Sequence, residues 1–220
     1  MSVELLGVSL SNVGLREALI RTNQFLKSGK LNTIAYASVS KLMEASEKEE
    51  QRQWWSALDM TICEDVEVLK AIGMDTVGRI KEVEENAYLK EFLKLLVRGH
   101  KEIYLLADTE QNLQEFEEEL RKFQNNLYIV GRDTLENYGE NKDGMINAIN
   151  AVAPKVILSL LPYPEGIHLM YDYRMYLNGS VWLSLTEKNL GQKKQSWISK
   201  IAECIDKKLF QKKISHNREE

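Results

Sequence analysis

The chain has 220 residues, 44% of them hydrophobic and 28% charged, which is enough apolar content for a real core and excludes a disordered or fibrous class. A net charge of -4 and a pI near 5.6 exclude a general electrostatic pull toward nucleic acid. No window is apolar enough to span a bilayer, and the opening MSVELLGVSL lacks the basic and long apolar regions of a signal peptide, so a cytoplasmic location is expected.

In chain order, Glu4 to Val8 reads as a short leading strand. Val13, Leu15, Ala18, Leu19, Thr22, Phe25 and Leu26 then recur at helical spacing until Ser28 and Gly29 stop the run. Asn32 to Val39 is strand-like, Lys41 to Leu58 is helical and carries Trp54 and Trp55, and Asp59 to Cys63 is a second strand. Ala71 to Arg79 is punctuated by Gly73 and Gly78, and Val83 to Val97 returns to helical periodicity. Glu102 to Leu106 as strand, Gln111 to Phe123 as acidic amphipathic helix and Leu127 to Val130 as strand form the clearest Rossmann-like unit.

A polar loop from Asp133 to Gly144 and a short helix from Met145 to Val152 lead into Ala153 to Leu185. That stretch reads as a buried strand (Val156 to Leu161), a turn at Pro162, Tyr163 and Pro164, a helix to about Leu177, a turn at Asn178 and Gly179, and a second buried strand. Continuous apolar strands separated by a helix are the βαβ signature of a parallel sheet covered on both faces. The fold expected is therefore α/β, a Rossmann-like, mostly parallel sheet with helices on both faces and a C-terminal amphipathic helix. The expected division is one α/β domain over residues 1–190 and a basic appendage over 191–220.

Between Gln192 and Lys213 there are seven lysines against two acids, with Trp197, Ile198, Ile201, Ile205, Leu209 and Phe210 near one helical face. Two readings stand for this tail: an anionic membrane surface, or packing as a last helix on the sheet. Cys63 and Cys204 have no metal-ligand spacing and read as buried, reduced thiols.

Ligands of open parallel sheets sit beyond the carboxyl ends of the strands, which directs attention to Pro162 to Gly166 and Thr186 to Asn189. No Gly-x-Gly-x-x-Gly, P-loop, Gly-x-Ser-x-Gly or His-Glu-x-x-His pattern is present. Asp65-Val66-Glu67 and Asp108-Thr109-Glu110 are the nearest patterns to a metal-holding Asp-x-Asp, and both fit helix-start carboxylates instead. Glu64 and Asp65 follow a strand directly, where a carboxylate can act as general base on an acceptor hydroxyl. His168, in the helix after the proline turn, is a further candidate.

The order and spacing of these segments resembles the WecG/TagA/CpsF glycosyltransferase family, from Leu5 to about Leu190. LLGVSLSNVGLREALIRTNQFLKSGK looks like the family's opening, and LDMTICEDVEV falls where the family has "aDlvlpDGiGv". KEIYLLAD matches the strand that ends in Gly-Gly, and APKVILSLLPYPEGIHLMYDYRMYL runs in register with "kPDilfvalGsPkQEkwiyenr". The departures fall on the motifs: Tyr36 and Ser38 replace a Thr and an Asn, Glu64-Asp65 replaces Asp-Gly, and Ala107-Asp108 replaces the Gly-Gly. Thr186 and Glu187 stand in the place of a later Gly-Gly, while Arg79, Pro164, Tyr171 and Arg174 are retained.

The resemblance implies transfer of a sugar from a UDP-sugar donor to a lipid-linked acceptor in cell-surface polysaccharide or teichoic-acid synthesis. It implies Glu64 or Asp65 as catalytic base, and Tyr36, Ser38, Arg79, Ala107, Asp108, Tyr163, Pro164, Arg174 and Thr186 as substrate-binding positions. No cofactor, metal or nucleic acid is implied, and self-association into a homo-oligomer is left open. A Cβ at each lost glycine restricts the approach of backbone N–H groups to a diphosphate, and Asp108 and Glu187 add like charge near an anionic donor. A second reading follows: a non-catalytic homologue serving as scaffold or regulatory partner of an envelope-glycan enzyme, with Trp54 and Trp55 either as an exposed contact patch or, equally, as core. A third, binding of another ligand through Tyr36, Tyr163 and Trp182, competes with core packing of Trp182.

Overall fold

The computed structural model describes residues 2–191 and 206–215. It opens with an antiparallel hairpin, β1 (Ser2–Leu5) and β2 (Val8–Ser11), rather than one strand over 4–8. Leu6 and Gly7 both take positive φ, 55° and 74°, which makes the two-residue turn whose twist suits a hairpin. A central leucine in that conformation is what hid the turn from the sequence pattern.

Helix α1 (Leu15–Phe25) leads to β3 (Asn32–Ala37). The predicted helix over 41–58 is two helices, α2 (Val39–Glu47) and α3 (Glu49–Ser56), separated by Lys48 in an extended conformation. After β4 (Met60–Cys63) come α4 (Val66–Ala71), α5 (Val77–Glu84) and α6 (Ala87–Arg98). The central unit is β5 (Ile103–Ala107), α7 (Glu110–Phe123) and β6 (Ile129–Thr134). A 3-10 turn at Leu135–Asn137 interrupts the polar loop, followed by α8 (Lys142–Val152), β7 (Val156–Leu160), α9 (Glu165–Tyr173) and β8 (Val181–Leu185). Residues 206–215 form α10.

Six strands make one parallel sheet in the order β4-β3-β8-β7-β5-β6. Alternate strand residues face opposite layers, as the pleat requires. Ala35, Ala37, Tyr104, Leu106, Ile157 and Trp182 join a core with α2, α3, α8, α9, the hairpin and Phe210 of α10. Ile34, Leu105, Leu158 and Leu183 join the other with α1, α6 and α7. Helix α6 shows the cause most plainly: Tyr88, Leu89, Phe92, Leu93 and Leu96 are all buried and fall on one stripe.

Trp54 and Trp55 are buried in the first of these layers, so the pair forms core rather than an exposed patch. Trp182 is fully buried and donates its indole N–H to Ser159 Oγ at 2.9 Å. Of the tail, 206–215 packs on the domain: Phe210 is 1% exposed and Lys213 donates to Ser46 Oγ at 2.9 Å. Trp197, Ile198, Ile201, Cys204 and Ile205 lie outside the described residues. Among the described residues no helix is long and apolar enough to cross a membrane.

Candidate functional site

Parallel pairing brings the carboxyl ends of β4, β3 and β8 side by side, and the residues that follow them converge on a cavity of about 460 Å³. Tyr36 of β3, Glu64 and Asp65 after β4, Arg79 of α5, and Lys188 and Asn189 after β8 all line it. The sequence-derived candidates Tyr36, Glu64, Asp65 and Arg79 thus share one space, with Thr186 at its edge through its hydrogen bond to Glu64.

Glu64 and Asp65 are both buried, yet their surroundings differ. Asp65 Oδ2 accepts the backbone N–H of Val39 at 2.7 Å, and Oδ1 pairs with the Lys188 ammonium. Its carboxylate ties three strand ends together. Glu64 Oε1 accepts the Thr186 hydroxyl, and Glu64 lines the cavity beside Asp65. The backbone N–H of Glu64 donates to Ala37 O at 2.9 Å, continuing the ladder one residue past β4 and fixing its position.

Ser38 caps α2, accepting the Lys41 N–H at 3.4 Å. Lys41 then folds back to donate from Nζ to Tyr36 O at 3.1 Å. Burial lowers the Lys41 ammonium from the usual lysine range, against the opposing pull of Glu64 and Asp65. Burial, then the nearby Tyr88 and Glu64, holds the Tyr36 hydroxyl well above the ordinary tyrosine value, so it serves as a neutral hydrogen-bond group. That hydroxyl donates to Asn86 Oδ1 at 3.4 Å, and Asn86 Nδ2 donates to Asn189 O at 2.5 Å. Asn86 adopts φ 50°, the left-handed region that asparagine tolerates better than most residues.

Arg79 reaches the cavity from α5, whose Thr76 cap accepts the Arg79 N–H at 3.4 Å. Its Nε lies 3.3 Å from Glu82 Oε2, and that oxygen also accepts the Leu15 N–H at 3.1 Å. Gly14 makes room for the guanidinium: a Cβ there would stand 3.0 Å from one terminal nitrogen. Lys70, Lys188 and Lys207 add positive charge to the lining, and Glu67, Glu82 and Glu84 add negative charge.

The remaining candidates lie elsewhere. Ala107 ends β5 and Asp108 follows it, its carboxylate accepting the Thr109 N–H at 2.9 Å and the Asn112 amide at 2.7 Å. Tyr163 and Pro164 follow β7 through a cis peptide bond, and the Tyr163 hydroxyl donates to Gln51 at 2.7 Å while accepting the Trp55 indole at 3.3 Å. Arg174 sits at the opposite, amino end of the sheet, held by Ala57 O and, at 2.9 Å, by Asp59 Oδ2. His168 stacks on Trp54 with ring centroids 4.3 Å apart and lies 3.1 Å from Asp172. Among the described residues no group of three or more His, Cys, Asp or Glu side chains is placed to hold a metal ion.

Sequence reasoning missed Lys41, Asn86, Lys188 and Asn189. The last two fall in the stretch after β8 that strand-end logic had already marked, whereas Lys41 and Asn86 carry no local signal and become visible only when α2 and α6 are docked.

A doubly covered parallel sheet with a polar cavity at its carboxyl end defines the class: a Rossmann-like α/β domain. The model of the WecG/TagA/CpsF family of glycosyl transferases matches residues 3–186, and the chain belongs to that family. Among curated proteins none matches it.

Proposed function

We propose that the chain transfers a sugar from a UDP-sugar donor to a hydroxyl of a lipid-linked acceptor in cell-surface polysaccharide or teichoic-acid synthesis, with Glu64 as general base. The observation that carries this reading is the placement of Glu64, buried at a strand end on the wall of the 460 Å³ cavity and fixed by the Thr186 hydroxyl. In the reaction the acceptor O–H gives its proton to Glu64 as its oxygen bonds to the anomeric carbon, and the bond from that carbon to the UDP oxygen breaks. The charge left on UDP falls to cations such as Arg79, Lys70 and Lys188. The full engagement of Asp65 by Val39 and Lys188 favours Glu64 over its neighbour as the base.

The non-catalytic reading keeps one observation in its favour. The carboxylate offered as base already accepts a hydrogen bond from within the chain, from Thr186. On the transferase reading the chain works on the cytoplasmic side of the cell membrane, with its lysine-rich tail toward anionic lipid.

Calorimetry with UDP, UDP-N-acetylmannosamine and UDP-N-acetylglucosamine decides between the two. A transferase binds one donor at micromolar concentration, and Glu64→Gln keeps that binding while transfer falls by about 100-fold or more. A folded protein that ignores every nucleotide at about 1 mM overturns the transferase reading.

A further inference from the structure

The hydrogen bond from Thr186 to Glu64 belongs to a longer run of contacts along the cavity wall. Strand β8 ends at Leu185, and the chain turns at once. The Thr186 N–H donates to Asn189 Oδ1 at 3.0 Å, and the Asn189 N–H donates back, shared between Thr186 O at 3.1 Å and Thr186 Oγ1 at 3.2 Å. Asn189 is buried, and its own carbonyl accepts Asn86 Nδ2 at 2.5 Å, while Asn86 Oδ1 accepts the Tyr36 hydroxyl at 3.4 Å. The loop after β8 is therefore pinned to the turn before α6 and to β3, and Tyr36, Glu64, Asn86 and Asn189 all line the same cavity.

A threonine hydroxyl has one proton to give and two lone pairs to receive with. Here the Asn189 N–H takes a lone pair of Thr186 Oγ1, and Glu64 Oε1 takes the proton. Thr186 thus stands toward Glu64 as a donor, and an ionised carboxylate is the partner that only accepts. Among the described residues nothing donates to the second oxygen, Glu64 Oε2, and that oxygen is not sealed from solvent. One oxygen of the carboxylate is anchored, and the other is left to a hydroxyl entering the cavity.

We propose that Thr186 is the positioning residue of Glu64, oriented by Asn189 and Asn86, so that Oε1 is held and Oε2 receives the proton of the acceptor hydroxyl. Thr186 then serves the base and not the substrate. The internal hydrogen bond that speaks for a non-catalytic chain becomes, on this assignment, part of the catalytic arrangement, because it occupies one oxygen and orients the other. A base fixed in this way loses little time in unproductive rotamers, and its misplacement costs rate more than binding. The assignment rests on the transferase reading, which supplies the reaction that Glu64 assists.

The test follows UDP release by the full chain from UDP-N-acetylmannosamine and from UDP-N-acetylglucosamine, with a short-chain prenyl-diphosphate-linked N-acetylglucosamine as acceptor, beside calorimetry of donor binding. Thr186→Val keeps the shape and removes the hydroxyl, so kcat should fall by about tenfold or more at unchanged donor affinity, and Thr186→Ser should return it to within about threefold. In a Glu64→Gln background Thr186→Val should change the residual rate by less than about twofold, because a residue acting through Glu64 has nothing left to position. Asn86→Gly keeps the left-handed backbone conformation and removes both amide contacts, so kcat should fall about threefold with donor affinity unchanged. A merely structural role would lower stability or binding but would not make the loss depend on Glu64.

Full kcat in Thr186→Val, beside its loss in Glu64→Gln, overturns the assignment and leaves the transferase reading intact. An equal fold-loss in both backgrounds does the same, since it puts Thr186 on the substrate instead of behind the base. Weakened donor binding at unchanged kcat has that meaning too. An unmodified protein that releases no UDP overturns the transferase reading and this assignment with it, and the unmodified protein alone tells that failure from the others. Should Thr186→Val fail to fold, Asn86→Gly decides in its place, with lowered kcat at unchanged affinity in favour and full kcat against.

Discussion

Asp65 Oδ2 accepts the Val39 backbone N–H at 2.7 Å, joining the end of β4 to the first turn of α2. The contact is buried and charge-assisted, and it satisfies a helix-opening donor that Ser38 leaves to it. Neighbouring carboxylates thereby take different partners: Asp65 joins Val39 and Lys188 across strand ends, and Glu64 accepts only the Thr186 hydroxyl.

Asp65→Ala should accordingly cost about 2 kcal/mol of unfolding free energy, because it leaves the Val39 N–H buried without a partner. Glu64→Gln, close in shape, should cost less than about 1 kcal/mol while abolishing most transfer. Urea unfolding of both variants measures the difference. Equal midpoints would show that the Asp65 contact contributes nothing to the fold.

Arg174 is expected to behave as a clamp at the far end of the sheet. Asp59, its carboxylate partner, also accepts the Thr33 N–H at 2.9 Å at the start of β3, so one guanidinium braces the entry to two strands and the end of α9. Arg174→Ala should cost about 2 kcal/mol of stability and leave nucleotide affinity unchanged. A calorimetric loss of UDP binding at unchanged stability would instead return Arg174 to the substrate site.

The sheet was legible because its strands are short continuous apolar runs between turn signals, and Val156 to Leu160 and Val181 to Leu185 are the clearest instances. What escaped the sequence was decided by single backbone conformations or by distant partners. Leu6 at positive φ turns one strand into a hairpin, and Lys48 in an extended conformation divides one helix into two. At the site, Glu64 and Asp65 could be placed at a strand end from sequence, but their separate roles depend on Val39, Thr186 and Lys188, which are 26, 122 and 123 residues away from their partners. No local pattern encodes those separations.

Cys63 gives the fold a defined alkaline limit. Burial pushes its thiol from 9.0 up to about 11, with Asp65 adding to the shift and Arg79 opposing it. The folded value lies above the unfolded one, so the unfolded chain loses its proton first as pH rises. The stabilising contribution is full below about 9 and is lost as pH climbs toward about 11. Tyr163, pushed up to about 12 chiefly by burial, extends the same trend. In a Cys204→Ser background, native protein at about pH 8 should expose no titratable thiol, and denaturant should release one. Rapid modification of Cys63 in the folded state would show that the cavity wall opens at that point.

Helix α10 offers the last expectation, since Phe210 is 1% exposed among the residues of the first core layer. Lys207 lies 3.6 Å from Glu67 and Lys213 lies 3.8 Å from Glu47, so two of the tail's lysines are paired with the domain when the helix is docked. Exposed pairs of this kind contribute little, and the aromatic ring therefore dominates the docking. Phe210→Ala should cost about 3 kcal/mol of that docking and speed tryptic cleavage at Lys207, Lys208, Lys212 and Lys213, while Lys213→Ala should change the cleavage rate only slightly. Vesicles carrying anionic lipid compete for the same lysines, so the Phe210→Ala chain should also bind them more tightly than the unmodified protein, because undocking no longer opposes the lipid. Equal vesicle binding by the two proteins would mean that 206–215 stays on the domain at the membrane and that the preceding residues carry any lipid contact.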